Sequence, residues 1–417
     1  MNIRKQILQA LRKIYQQEGY SHLVLKTALE APMLQADKAL MTQVVYGTMQ
    51  HCRYVRYLWQ KHVERPVKEE AIQLLLDMSV YQLVFLDRIP DYAVINEAVE
   101  LAKEIGHGYA PFVNGVLKQV QRSSKEVEET DPLAKLALTT SHPLWLVKMW
   151  AKHYGEEACT KICIANNENP RNCARVNTLK TTKEAILQEY ACAPGKYSED
   201  ALYFEESIAQ LPAFQDGRLA IQDEGSQMVA LVVDPKPGDR VLDVCAAPGS
   251  KTIHMAQRMQ NEGSIIAQEI YEHRSQLIEQ ACANYGVSII EVKTVDSTIS
   301  HTLYEPESFT HVLVDAPCSG FGVLRRKPDI KLRAKQDELD GILAVQRAIL
   351  DSSAQLVKQG GTLVYSTCTL NKKENEQQVA WFCKQYPEYQ VVYEQTLFPH
   401  EYDGDGFYIA KLFRLKK

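Results

Sequence analysis

No Cys-x-x-Cys pair occurs among the 10 cysteines of this 417-residue chain, which removes zinc-ribbon and thioredoxin-like readings; 10 thiols are also too sparse for a disulfide scaffold. Most are expected to be reduced and buried. No stretch reaches the roughly 18 uncharged apolar residues that a membrane span needs, and the opening Met1-Asn2-Ile3-Arg4-Lys5-Gln6-Ile7-Leu8 lacks the apolar core of a signal peptide. A cytoplasmic protein with no membrane partner is expected. Both phosphate-binding glycine signatures, Gly-x-Gly-x-x-Gly and Gly-x-x-x-x-Gly-Lys-Ser/Thr, are missing, so neither a pyrophosphate nor a triphosphate cradle is indicated.

A strong charge of one sign is absent as well. The formal net charge is -5, made of +1 over residues 1–130, -1 over 131–220 and -5 over 221–417. Such a chain does not coat nucleic acid non-specifically, and a polyanionic partner would have to use local patches. What is present is a globular composition, 45% hydrophobic and 24% charged, in a chain too long for one hydrophobic core. Two or three domains are expected.

Glycine and proline are scarce in the first third, where Ile3, Ile7, Leu11, Ile14 and Tyr15 fall on one helical face and amphipathic stretches cover 38–63, 67–86 and 92–105, the last with Asp91 as N-cap. The polar, proline-closed segment 121–132 reads as a linker. Helices mixed with short extended runs such as 172–177 follow. Beyond residue 234 short apolar strands (240–244, 264–268, 288–292, 310–314, 362–366) alternate with helices, including a long one over 337–358. That alternation predicts a parallel sheet covered on both faces. The expected domains are a helical bundle over 1–127, a small α+β domain over 128–217 and an α/β domain over 218–417.

In an open α/β sheet, ligands bind at the carboxyl ends of the strands. The first such end carries Cys245-Ala246-Ala247-Pro248-Gly249-Ser250-Lys251 leading into a helix, a small-residue turn that lets backbone N–H groups approach a nucleoside-bearing cofactor. Acids follow at the next three ends. Glu269 is placed to accept ribose hydroxyls, Asp296 lies where an adenine would sit, and Asp315 closes the fourth strand. One loop acid is ordinary, but three in succession without phosphate-binding glycines fit S-adenosyl-L-methionine, a cofactor with a positive sulfonium and no phosphate. No metal site is indicated.

Two cysteines stand in loops just past strands, in Asp315-Ala316-Pro317-Cys318-Ser319-Gly320 and Tyr365-Ser366-Thr367-Cys368-Thr369. Past Cys368, Asn371 with Glu374 three residues on reads as a helix N-terminus, which with Lys372 and Lys373 would favour thiolate. Cys245 reads as packing or backbone contact. A tyrosine-phosphatase signature fails because Arg325 comes one residue too late after Cys318, and a papain-like pair leaves the acids unexplained. The run 324–335 has six basic residues and one acid, and its place beside the Cys318 loop makes it the expected phosphate-contacting patch; the basic end 411–417 and Arg53, Arg56 and Lys61 are weaker candidates.

With these motifs, and with His142-Pro143-Leu144-Trp145, Arg175-Val176-Asn177, Gln222-Asp223-Glu224-Gly225-Ser226 and Asp405-Gly406-Phe407-Tyr408, nearly the whole chain resembles the bacterial Sun/Fmu RNA 5-methylcytosine methyltransferases that carry an N-terminal NusB-like domain. The resemblance implies an all-α NusB-like bundle, a small RRM-like or ferredoxin-like domain and a Rossmann-like methyltransferase domain. It implies Cys368 as nucleophile, Cys318 as an aid to product release, and residues 245–251, Glu269, Asp296 and Asp315 around S-adenosyl-L-methionine. The implied partner is RNA, specifically 16S ribosomal RNA, acted on by a monomer. Ser250 stands where that family usually has glycine, acceptable if it has negative φ and caps the following helix. Alternatives are the same chemistry on transfer RNA or another ribosomal cytosine, and a non-catalytic RNA-binding assembly factor.

Overall fold

The computed structural model describes residues 2–16 and 20–416; Lys417, the last of the basic end, lies outside them. The chain forms two compact units, Met1–Glu168 with Leu324–Ala334, and Asn169–Val323 with Lys335–Lys417.

The first unit is helical. Its helices are Ile3–Gln16, Ser21–Leu29, Gln35–Gln50, Cys52–Gln60, Glu70–Phe85, Asp91–Ile105, Tyr109–Arg122, Pro132–Thr139, Leu144–Tyr154, Glu156–Ala165 and the short Ile330–Arg333. The stretch expected over 38–63 is two helices, broken at His51, whose φ of -108° and ψ of 20° leave the helical region. Glu70–Phe85 is the central helix: Leu74, Leu75, Leu76 and Val80 are fully buried, so its sides are nearly all apolar. Its one buried acid, Asp77, is satisfied by Arg56 and by Trp59 Nε1 at 2.7 Å. Asp91 is the first residue of its helix and not the cap, and its carboxylate accepts from Gln121 Nε2 at 2.8 Å. Past the polar segment, Asp131 caps the Pro132–Thr139 helix through Leu133 N at 3.0 Å, with proline at the first turn, where no N–H is needed. Among the described residues no helix is long and apolar enough to cross a membrane.

The second unit holds two sheets. Strands β1 (Asn172–Val176), β2 (Cys192–Pro194), β3 (Ala201–Phe204) and β4 (Leu219–Ile221) form an antiparallel sheet in the order β2-β3-β1-β4. Strands β5 (Arg240–Asp243), β6 (Ser264–Glu269), β7 (Ile290–Thr294), β8 (Phe309–Asp315), β9 (Val357–Thr367), β10 (Tyr389–Leu397) and β11 (Phe407–Arg414) form the other, in the order β10-β11-β9-β8-β5-β6-β7. β5 to β9 are parallel, as the alternation predicts. The antiparallel pair β10 and β11 is a departure from the expected all-parallel sheet; it extends the β9 edge, with Tyr408 opposite Thr367. Val241, Leu242, Val312, Leu313, Leu363 and Val364 are all fully buried, because both faces of the central strands are covered and alternation is unnecessary. Each such side chain contributes about 1.5–3 kcal/mol on burial.

Candidate active site

The order β7-β6-β5-β8-β9 means that the chain moves outward from β5 in one direction, then crosses back to fill the other side. Open α/β sheets bind their ligands at such a reversal, here the place beyond the carboxyl ends of β5 and β8. The Cys245 loop occupies it. Val244 N donates to Leu313 O at 3.0 Å and Ala246 N to Gln268 O at 2.9 Å, so the turn is pinned to strands on both sides. Gly249 has φ of 101°, a left-handed conformation that glycine alone adopts without strain, and a Cβ there would meet Ile278 at 3.3 Å. Gly249 itself holds the N-cap position. Ser250 is the first helical residue, so its backbone tolerates a Cβ as expected, but the capping role anticipated for its side chain is not made. Its carbonyl accepts from the buried Arg175 Nη1 at 2.7 Å, and Arg175 Nε also reaches Gln257 at 3.1 Å, tying β1 to the turn.

The charges of three carboxylates act on the partly buried Cys245 thiol. Burial first, then the charges of Asp243, Asp315 and Glu269, push that thiol well above its ordinary range, and Cys245 packs against the core beneath the sheet. Glu269 accepts from Tyr271 N and from Arg274 Nη1, each at 3.2 Å, while Arg274 Nη2 donates to Ala247 O at 3.2 Å. Asp315 accepts from Ser366 Oγ at 2.8 Å and pairs with Lys251 Nζ at 2.7 Å. Asp243 closes β5, where the sequence pattern continues the strand to Val244 and so hides it. Burial lifts it to about 7, opposed by the hydrogen bond from Thr252 Oγ1 at 2.7 Å and supported by nearby Asp315. Asp296 is different: it is exposed, and its Oδ1 accepts from Thr298 N at 2.9 Å and Thr298 Oγ1 at 2.8 Å, capping the turn Ser297–Thr302.

The two loop cysteines meet. β8 and β9 are adjacent with Asp315 opposite Ser366, so the loops that follow leave the sheet side by side, and Cys318 Sγ lies 3.4 Å from Cys368 Sγ. The hydrogen bond with Cys368, then burial, then the charges of Cys368 and Glu374 push the Cys318 thiol well above its ordinary range, so it holds its proton beside its neighbour. Lys251 is near enough to Cys368 for their charges to interact. The helix expected to begin at Asn371 starts only at Glu376; residues 372–375 form turns, with Lys373 N bonded to Asn371 Oδ1 at 3.1 Å. Lys251 from the neighbouring loop thus brings a positive charge to this sulfur.

The run 324–335 departs most from expectation. Lys331 is fully buried in the first unit, with Nζ donating to Gln50 O at 3.0 Å, Thr140 O at 3.1 Å and Asn167 Oδ1. Arg325 is 5% exposed and donates to Ala165 O at 2.8 Å. Ser21 Oγ donates to Asp329 at 2.6 Å. Burial of two of the six cations disqualifies them from phosphate contact; Lys327 and Lys335 are exposed. In the sequence a buried lysine and a solvated one look alike.

Comparison with known proteins adds a second, independent line. Residues 230–413 match the family model described as 16S rRNA methyltransferase RsmB/F, residues 1–122 match the NusB family, and residues 142–209 match a ferredoxin-like domain of RsmF/B-like methyltransferases. The probable ribosomal RNA small subunit methyltransferase B of Bacillus subtilis (strain 168) is 40% identical over 99% of this chain and 98% of its own length. Ribosomal RNA small subunit methyltransferase B of Serratia proteamaculans (strain 568) is 32% identical, covering 95% of each chain. Among solved structures, a methyltransferase homolog protein from Pyrococcus horikoshii is 26% identical with a TM-score of 0.62, over 69% of this chain and 100% of the other. PH0851, at 24% identity and a TM-score of 0.83 over 99% of both chains, shares the fold.

Proposed function

Since this chain belongs to the 16S rRNA methyltransferase RsmB/F family, we propose that its paired cysteines and the acids around Cys245 methylate carbon 5 of a cytosine in 16S ribosomal RNA. The observation that carries this reading is the 3.4 Å contact between Cys318 and Cys368 at the end of adjacent strands, beside the Cys245 turn. S-adenosyl-L-methionine is the cofactor, and when bound it supplies an electrophilic methyl group. The residues suit it. Asp243, Glu269 and Asp315 offer carboxylate to a cation and to ribose hydroxyls, and no phosphate cradle is present in the loop. Glu269 and the turn 245–251 hold the nucleoside portion; Asp296, set apart on its own turn, is assigned to the adenine rim.

Carbon 5 of cytosine is a poor nucleophile, so a thiolate must first add at carbon 6. Cys368 forms that carbon–sulfur bond, and the electron pair of the 5,6 double bond shifts toward carbon 5, which then takes up the methyl group. The hydrogen on carbon 5 next leaves as a proton to solvent, its electron pair re-forms the double bond, and the carbon–sulfur bond breaks with its pair returning to Cys368. The Cys318 thiol hydrogen-bonds to the departing sulfur and keeps its own proton, so that Cys368 returns as the thiolate it began as. Asp315, paired with Lys251, is assigned to N3 of the ring, where the pair passes a proton as negative charge builds during addition and takes it back on elimination. The target base has to leave any stack to reach this pocket.

Replacing Cys368 with alanine abolishes methyl transfer and leaves cofactor binding in place; full activity of that variant would sink the assignment. Cys318→Ala accumulates a covalent RNA–protein adduct, visible on a denaturing gel, and no adduct would remove the release role. Bisulfite sequencing of ribosomal RNA from a strain lacking the gene then reads which cytosine loses its methyl group.

A further inference from the structure

Glu374 takes no part in the chemistry described above, yet it is fully buried and its carboxylate is saturated by donors. Oε1 accepts from Ser319 Oγ at 2.5 Å and Asn371 Nδ2 at 2.9 Å; Oε2 accepts from Ser319 N at 2.9 Å and Gln346 Nε2 at 3.3 Å. One of these partners follows Cys318 directly, and another lies three residues past Cys368. The same Ser319 hydroxyl meets Thr369 Oγ1 at 2.7 Å, and Tyr365 OH donates to the Glu374 carbonyl at 2.6 Å. A polarised chain feeds the carboxylate from the far side. Arg347 Nε donates to Gln378 Oε1 at 3.0 Å, Gln378 Nε2 to Gln346 Oε1 at 3.0 Å, and Gln346 Nε2 to Glu374. Each amide in that chain has its orientation fixed by its neighbours, so donors converge on Glu374, a set that a carboxylate satisfies and a carboxamide does not.

We infer that Glu374 is the positioning residue of the cysteine pair: its carboxylate clamps the Cys318 loop against the Cys368 loop and keeps the proton on Cys318, so that Cys368 is the sulfur presented as thiolate. Two nearly equivalent thiols in contact must be made unequal for one to attack and the other to donate. A negative charge bonded to the residue after Cys318 disfavours a second negative charge on that sulfur, while Lys251 favours one on Cys368. This rests on the roles proposed for the two cysteines.

Glu374→Gln keeps the shape and removes the charge. The readout is the ratio of iodoacetamide labelling at Cys368 to that at Cys318, taken from peptide masses of the full-length protein near neutral pH. The ratio is expected to fall about tenfold, the scale of one lost hydrogen bond to a charged group. The covalent RNA adduct is expected to persist as it does in Cys318→Ala, with KM for the cofactor unchanged. An unaltered labelling ratio with unaltered adduct turnover overturns the inference. If Glu374→Gln fails to fold by circular dichroism, the wild-type protein is read in its place: Cys368 is expected to label about tenfold faster than Cys318 near neutral pH, and equal rates overturn the inference. Failure of the parent reading looks different, since Cys368→Ala would then retain methyl transfer whatever the Glu374 variant does.

Discussion

Lys251 joins the two halves of the site. It belongs to the Cys245 turn by sequence, but its ammonium pairs with Asp315 at 2.7 Å, lies 5.4 Å from the Phe407 ring centre and interacts electrostatically with Cys368. Contact with these groups, Asp315 foremost, outweighs burial and raises its own affinity for a proton, so it stays charged where the thiol titrates. Lys251→Met should therefore slow alkylation of Cys368 about tenfold near neutral pH, equivalent to about 1.4 kcal/mol less favourable thiolate. The deficit should vanish in alkaline solution, where the thiol ionises unaided. Labelling that follows the wild-type pH curve would show that the lysine does not act on this sulfur. At this scale the sequence shows the reactive types and hides their governors. Cys318 and Cys368 can be picked out because each follows a strand, whereas the bonds of Asp243 to Thr252, Arg175 to Ser250 and Glu374 to Ser319 span 9, 75 and 55 residues, which no spacing rule connects.

The loops after β8 and β9 keep their places because backbone meets backbone without side chains between. Gly322 N donates to Cys368 O at 3.0 Å, Gly406 N donates to Gly322 O at 2.7 Å, and a Cβ on Gly322 would stand 2.0 Å from Gly406 O and 2.8 Å from Cys368 O. Neither carbonyl can swing away as a flexible side chain would. Gly322→Ala should cost about 1–3 kcal/mol in urea unfolding and should cut methyl transfer while the Cys245 turn still binds cofactor. Wild-type stability in that variant would mean that the loops yield more than this packing allows. The strand and helix alternation that places these loops can be read from the sequence, because parallel central strands are apolar throughout and each is closed by a turn. The β10 and β11 pair cannot be read in the same way. β10 alternates exposed and partly buried positions along an edge, and its antiparallel partner is chosen by tertiary pairing rather than by a tight hairpin turn. The displaced start of the helix at Glu376 has a similar cause, since Glu374, half of a capping pair in isolation, accepts from Ser319 of the Cys318 loop.

Across the whole molecule, composition says where charge is and not where it is spent. The acids responsible for the -5 over residues 221–417 include the carboxylates that act on Cys245, and part of the basic run is enclosed among the helices of the first unit. Lys331 shows the consequence. Burial, the largest effect, brings its pKa down to about 7, against which Cys52 and Cys163 act weakly, and its three acceptors are neutral oxygens. The unfolded chain keeps this proton until about pH 10.4, so between about 7 and 10.4 the unfolded state binds more protons than the native state, and the native state gains stability as pH rises. Its neighbours do not titrate in that window: burial pushes His51 down to about 4 and His142 below its ordinary value, and pushes the Cys52 thiol up. Lys331→Met lacks the titrating group. Measured by urea unfolding with tryptophan fluorescence, to which the buried Trp59 and Trp150 contribute, wild type should gain about 2 kcal/mol relative to Lys331→Met between pH 7 and pH 9. A parallel response in the two proteins would mean that Lys331 is charged and solvated in solution, restoring the run 324–335 as a surface for phosphate. A diverging response leaves Lys327 and Lys335 as the most exposed cations of that run, with Arg326 and Arg333 half-buried, and charge reversal at Arg325 should then lower the stability of the first unit without altering the salt dependence of RNA binding.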